Sequence, residues 1–195
     1  MPSNSAKRTN KREDIIQASA DLFEKVGYHR ATMQLLAEEV GLGKPTLYHY
    51  FKSKNEILYA IHQGTITQVL KLHRTRVSKN LPPEDLLRGI ASDMVAFIKK
   101  HPGYTRAFFD HIDELEPEHK QEIKAQRDEY MEATIDVIRQ GIASGKFKDT
   151  DPRLATLAFF GMINWTYKWI HTEKRASVNK LASHFCDLFL DGLKS

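Results

Sequence analysis

Residues 32 to 54 leave this chain few folds to choose from. Thr32 carries a hydroxyl that can cap a short helix by accepting a first-turn N–H. Leu36, Ala37 and Val40 follow at three- and four-residue spacing and make one apolar face. Gly41 stands where a helix C-terminus takes a positive φ. Pro45 then fits the first turn of a second helix, Lys44 to Tyr50, where a missing N–H is tolerated. Ser53 and Glu56 have the spacing of a capping box that starts a third. Two short helices joined by a tight glycine-containing turn make a helix-turn-helix, and the second helix of such a unit lies in the major groove of double-stranded DNA.

These residues also carry a family resemblance. Thr32, Leu36-Ala37, Val40-Gly41, Thr46-Leu47-Tyr48-His49-Tyr50-Phe51, Ser53-Lys54 and Ile57-Leu58 together resemble the signature of TetR-type transcriptional repressors. The likeness extends upstream through Ile15, Ala18, Phe23 and Gly27-Tyr28 and is strong over about a quarter of the chain. One departure is Gly43, where that family often has Ser as the recognition-helix cap; Gly caps less well by a few tenths of a kcal/mol. The resemblance implies that Tyr48 and Lys54 touch phosphates and that Thr32 does so from the preceding helix. It places Lys44, Thr46 and His49 toward the groove, with Pro45 and Tyr50 on the same short helix and Gln34 on the helix before. Lys44 can donate to guanine, and Gln34 can pair with adenine through two hydrogen bonds. The bland alternative makes the aromatic residues packing groups; Leu47 and Phe51 are read that way.

Charge refines this reading. The net charge of +4 is too small for a general polyanion binder, but Lys7, Arg8, Lys11 and Arg12 all precede the first acid, Glu13. A basic arm beside a helix-turn-helix suits phosphate contact, or else is a solvated, mobile tail. Cys186 is the single cysteine, so neither a disulfide framework nor a cysteine metal site is expected. No apolar stretch follows the basic arm, and Leu154–Ile163 is too short to cross a bilayer. A cytoplasmic protein with no membrane partner is the expectation.

Taken in order, residues 1 to 8 read as mobile and Lys11 to Val26 as a helix with Ile15, Ala18, Leu22 and Phe23 inward. The helix begun at Ser53 runs without a stop until Asn80-Leu81-Pro82-Pro83 and connects the DNA reader to the rest of the chain. Helices follow from Pro83, from Tyr104 to Asp113, from Pro117 to about Ser144, from Asp151-Pro152 to Ile170, and from Val178 to Leu193 after Ala176-Ser177. The sum is an all-α chain of about nine helices. It divides into a helix-turn-helix domain, residues 1–54, and a ligand-binding and dimerisation domain, residues 55–195. The segment from Leu154 to Ile170 is apolar all round and the last helix has a broad apolar face. A single chain of this size can hardly cover both, whereas a second copy can, giving a four-helix homodimer interface.

The larger domain holds an aromatic set, Phe97, Tyr104, Phe108, Phe109, Tyr130, Trp165 and Trp169, with Asn164 and Thr166 as polar groups. An apolar cavity with a few polar groups is the usual small-molecule site; an ordinary aromatic core is the alternative. Residues 161–169 are similar to regulators of fatty-acid and sterol degradation, which sense acyl-CoA thioesters. Arg106, Lys120, Lys124, Arg127 and Lys168 would then meet CoA phosphates, or else form a solvated face. The inducer is expected to be a small hydrophobic molecule, with acyl-CoA and hydrophobic or cationic drugs as competing classes. His111, Asp113, Glu116 and His119 match no compact metal site, and neither a metal nor a cofactor is expected. No catalytic Ser/His/Asp set or phosphate loop is present, so the rival class is a helical ligand carrier or enzyme with a vestigial helix-turn-helix.

Overall fold

The computed structural model describes residues 4–173 and 177–193, with side chains from Asn10 onward. Its α-helices are α1 (Asn4–Val26), α2 (Met33–Glu39), α3 (Lys44–Tyr50), α4 (Lys54–Val77), α5 (Pro83–Lys100), α6 (Pro102–Asp110), α7 (Pro117–Ala143), α8 (Pro152–Asn164) and α9 (Val178–Leu193). Single-turn 3-10 helices, Ile112–Glu114 and Trp165–Lys168, follow α6 and α8. Among the described residues no element is a β-strand, and the all-α expectation holds.

The helix boundaries follow from local chemistry. The Thr32 hydroxyl accepts the Leu35 N–H at 3.2 Å and caps α2. At the other end Gly41 takes φ +64°. The Leu42 N–H then reaches back to the Ala37 carbonyl at 2.8 Å, and the Gly41 N–H to that of Glu38 at 3.1 Å. That pair of bonds is a Schellman motif, which needs the left-handed residue that Gly41 supplies at low cost. Ser53 Oγ accepts the Glu56 N–H at 3.1 Å, while the Glu56 carboxylate takes the N–H of Lys52 rather than that of Ser53.

Three boundaries differ from those expected from sequence. Helix α1 starts at Asn4 instead of near Lys11, because no Gly or Pro interrupts residues 4–26; residues 4–8, expected to be mobile, form its first turn. The side chains of Lys7 and Arg8, and the Ala176 boundary, lie outside the described residues. Helix α6 opens at Pro102 rather than at Tyr104, since a proline is tolerated in the first turn, and the same His101-Pro102-Gly103 stretch ends α5 at Lys100. Finally, the helix expected to reach Ile170 stops at Asn164. The buried Thr166 hydroxyl donates to the Ile163 carbonyl at 2.7 Å, and the Trp165 N–H reaches the carbonyls of both Gly161 and Ile163, which tightens the backbone into a 3-10 turn.

Packing divides the chain into two compact units. The first contains residues 1–65 and 102–123, the second residues 66–101 and 124–195. In the first, Ile15, Phe23, Leu36, Leu47, Phe51, Ile57, Leu58 and Ile61 are fully buried and join α1, α2, α3 and the start of α4 into one core. By packing, this unit reaches past the boundary at residue 54 to include α6 and the first turns of α7. Gly103 is the reason α6 can come so close to α1: a Cβ there would run into the backbone carbonyl of Ala20. Asn55 fastens the next segment, donating to the Glu114 carbonyl at 2.5 Å and accepting the Glu116 N–H at 3.3 Å.

In the second unit α5 packs against α9 and α8. Leu86, Leu87, Ile90 and Val95 of α5, and Leu181, Cys186 and Leu190 of α9, are buried. Arg76 and Asp93 form a half-buried two-bond ion pair between α4 and α5. A different side of α8 and α9 is uncovered in the single chain: Leu154 is 64% exposed, Leu157 46%, Trp165 62% and Leu188 58%.

Candidate nucleic-acid interface and ligand cavity

Helix α3 is two-sided. Leu47 is fully buried and Phe51, just past its end, is 1% exposed, so these two anchor the helix to the unit's core. Lys44, Pro45, Thr46, Tyr48 and His49 all face solvent, and Tyr50 is half-buried. Tyr48 is 43% exposed, far more than a packing tyrosine would be. The packing reading therefore fits Leu47 and Phe51, while the remaining side chains of α3 are free to meet a groove. At the N-terminus of α3 the Gly43 cap offers no side-chain acceptor, which leaves first-turn N–H groups open to a phosphate oxygen.

The flanking candidates are engaged within the chain. Gln34 donates to Glu38 at 2.7 Å, so pairing with adenine would require it to leave that carboxylate. Lys54 donates to the Tyr28 carbonyl at 2.8 Å and sits 4.1 Å above the Tyr28 ring; burial holds its ammonium below the usual lysine range. Thr32 is exposed, but its hydroxyl already serves as the α2 cap. Arg12 lies over the Phe51 ring at 4.6 Å, which brings part of the basic N-terminal segment beside the end of α3. Sequence reading gave Arg12 to a phosphate-binding arm or a solvated tail; the cation–π contact left no periodic trace.

Family comparison agrees with this geometry. Residues 15–61 match the model described as bacterial regulatory proteins, tetR family. Residues 80–193 match that of the tetracyclin repressor-like C-terminal domain, which alone covers more than half of the chain. The chain belongs to the TetR family. It is accordingly a DNA-binding transcriptional regulator. Among TetR-family relatives, the fatty acid metabolism regulator protein of Bacillus subtilis is 22% identical over 181 residues, covering 92% of this chain and 93% of its own. The transcriptional repressor KstR2 of Rhodococcus jostii is 22% identical over 96% of this chain and 93% of its own. Among solved structures, the TetR-family regulator PfmR from Thermus thermophilus superposes with a TM-score of 0.86 at 29% identity, covering 93% of this chain and 99% of that one. AibR in complex with isovaleryl coenzyme A and operator DNA gives 0.83 at 22%, covering 91% and 97%, a likeness of fold.

The expected ligand residues fall into separate groups. Tyr104, Arg106, Phe108 and Phe109 belong to the first unit. Tyr104 is half-buried, and burial together with the charges of Asp21 and Glu13 pushes its phenol up to about 12, which places it beside α1. The ring of Phe108 lies 5.3 Å from that of the buried His62 and 5.5 Å from that of Phe109, and Arg106 faces solvent. Phe97, Tyr130, Asn164, Trp165, Lys168 and Trp169 belong to the second unit. There Phe97 stacks near His101 at 4.9 Å, Trp169 meets Phe185 edge-on at 6.3 Å, and Lys168 is exposed over Tyr167. Trp165 turns to solvent and continues the uncovered face of Leu154 and Leu157 just past the end of α8.

Within the second unit a small cavity is lined by Val69, Leu72, His73, Ile90, Asp93, Met94 and Tyr130. Of the residues expected from sequence, only Tyr130 takes part. Its ring lies 5.4 Å from His73 and 5.3 Å from Phe160, and burial raises its phenol above the ordinary range. His73 Nε2 has no hydrogen-bond partner. A buried polar atom left unsatisfied in an apolar lining costs free energy until something pairs with it. His73 was missed because it sits inside the uninterrupted apolar pattern of α4, where a lone histidine carries no periodic signal of its own.

Burial also depresses the His73 imidazole below its ordinary value. The neutral form is favoured in the fold, so His73 imposes no penalty above the unfolded value of about 6.5 and an increasing one as pH falls below it. His111, half-buried and likewise depressed chiefly by burial, acts in the same direction. The urea midpoint should therefore drop between pH 7.5 and 5.5. His73→Phe should flatten part of that slope; an unchanged slope would show that His73 does not titrate on unfolding.

Proposed function

We propose that the protein is a homodimeric repressor of the TetR type, released from operator DNA when an acyl-CoA thioester enters the second unit. The observation that carries the ligand part is the cavity between α4, α5 and α7, whose mostly apolar lining also holds Asp93, the Tyr130 phenol and the unpartnered His73 Nε2. Its apolar side chains suit an acyl chain and His73 can meet the chain's carbonyl with a hydrogen bond, while Asp93 is already paired with Arg76. Arg127, on α7 three residues before the cavity-lining Tyr130, is the cation nearest to that residue in sequence and can meet a phosphate. Asn164 Oδ1 is a second buried acceptor without a partner in the same unit. Two relatives support the class by what their names say: one regulates fatty acid metabolism, and AibR binds isovaleryl coenzyme A.

The cavity is small, so a ligand has to part α4, α5 and α7. That differential fit is what allows binding in this unit to bias the DNA-binding form, since a ligand shifts an equilibrium only by its preference for one state. The test titrates the operator complex with acyl-CoAs, the matching free acids, free CoA and hydrophobic amines. Release by acyl-CoA and not by free CoA is expected. Met94→Trp, which fills the cavity, should raise the concentration needed about tenfold or more while ligand-free DNA affinity stays near wild type. Release only by amines would replace the acyl-CoA reading with a drug-sensing one. The cytoplasm is the compartment such a regulator works in.

A further inference from the structure

Beyond any inducer, the first unit contains a cluster that DNA reading does not use. His29 lies in the turn between α1 and α2, and His111 and Glu114 lie at the 3-10 turn that follows α6. One nitrogen of each imidazole and one carboxylate oxygen lie within 4.8 Å of one another. His29 Nε2 and Glu114 Oε1 are 3.1 Å apart, and the His29 and His111 rings meet edge to face at 5.9 Å. We propose that His29, His111 and Glu114 bind a zinc-class divalent cation that ties the turn before the helix-turn-helix to the turn after α6.

The donor chemistry selects the metal. Two imidazoles and one carboxylate, with water in the fourth position, form a common zinc ligand set, whereas magnesium and calcium prefer oxygen donors. Bond lengths of about 2.0–2.2 Å put tetrahedral ligand atoms roughly 3.3–3.5 Å apart. His29 and Glu114 already approach that spacing and are exposed, so small side-chain rotations close the remainder. A metal ion bound there would replace the direct contact between these two side chains.

The backbone under the cluster is already fixed. Asn55 holds both sides of the Glu114 turn through its two hydrogen bonds. Tyr28, buried against Phe23, presents its ring to His111 at 5.3 Å and its carbonyl to Lys54. Such outer contacts orient ligands before the metal arrives. The Lys54 ammonium is a nearby like charge and lowers affinity, which Glu114 offsets. Because Thr32 caps α2 three residues after His29, the clip would restrain the approach to the DNA-reading helices. The sequence hid this set because His29 stands about eighty residues before its partners, whereas His111, Asp113, Glu116 and His119 crowd one short stretch. Of these four only His111 takes part; His119 instead stacks on Tyr59 at 3.9 Å.

The test is calorimetric titration of metal-free, tag-free, full-length protein with Zn2+, then with Mg2+. About one equivalent of Zn2+ per chain is expected, with no Mg2+ uptake, and a higher thermal midpoint on adding Zn2+. His29→Ala and Glu114→Gln change exposed side chains; each should weaken Zn2+ binding at least roughly tenfold and abolish the thermal shift. His171→Ala, at an exposed histidine elsewhere, should bind as the wild type does. The proposal is overturned if the wild type takes up no Zn2+, or if His29→Ala and Glu114→Gln, folded by circular dichroism, bind it as tightly as the wild type.

Discussion

Leu188→Glu should convert the protein to a monomer and reduce operator affinity by about a hundredfold or more. Leu188 is 58% exposed on α9, and Leu154 and Leu157 on α8 and Trp165 just past its end are similarly uncovered. Large apolar residues grouped in this way signal an interface, and a self-complementary pair of helices satisfies it by two-fold symmetry. A carboxylate placed there would be buried without a partner on both sides of the axis, which disfavours association strongly. The loss at DNA then follows without any change in α3. Two linked recognition helices bind with an effective-concentration gain of about 10^2 to 10^4 over one alone. Phe185, expected from the sequence to serve the same face, is half-buried against Trp169, so its replacement would mix folding with assembly. Sedimentation velocity at micromolar concentration, paired with anisotropy on operator DNA, checks both halves. A Leu188→Glu protein that stays dimeric would remove this face from the interface.

Gly103→Val should destabilise the first unit by several kcal/mol, the largest stability effect expected of any single change here. A Cβ at residue 103 meets the Ala20 carbonyl and the Asp21 backbone nitrogen, which cannot rotate away as a side chain can. Overpacking against side chains typically costs about 1–3 kcal/mol, and against rigid backbone the helices themselves have to part. Since α1 carries Ile15, Ile16 and Phe23 into the core behind α2 and α3, the damage should spread to DNA binding. Chemical denaturation followed by far-UV circular dichroism measures the first effect. A change below about 1 kcal/mol would mean that α6 can move off α1 freely.

How much of this was legible in advance depended on whether the signal was local. Thr32, Gly41, Ser53 and Asp151 act on backbone within a few residues, and each stands at the boundary its chemistry indicates. The two-sidedness of α3 was equally legible, because Leu47 and Phe51 are spaced for one face and Thr46 and His49 for the opposite one. The surroundings of the aromatic set were not. An aromatic such as Trp165 is equally compatible with a pocket, a core or an interface, and only the packing of the whole unit shows that its face is left uncovered. Likewise the closeness of α6 to α1 depends on Gly103, which in sequence reads merely as part of a break. Contacts between distant segments leave no period to count.

The most direct measurement selects binding sites from random-sequence duplex DNA with the wild type, with Tyr48→Phe, and with Lys44, Thr46 and His49 all changed to alanine. The wild type should enrich a two-fold symmetric site whose half-sites are centred roughly one helical turn, about 34–36 Å, apart. Tyr48→Phe should select the same site with weaker binding to all sequences, because a phosphate contact carries no base information. The triple variant should lose the preference within each half-site while retaining salt-dependent, non-specific binding. Selection of the same site by the triple variant would contradict the assignment of α3 as the reading helix.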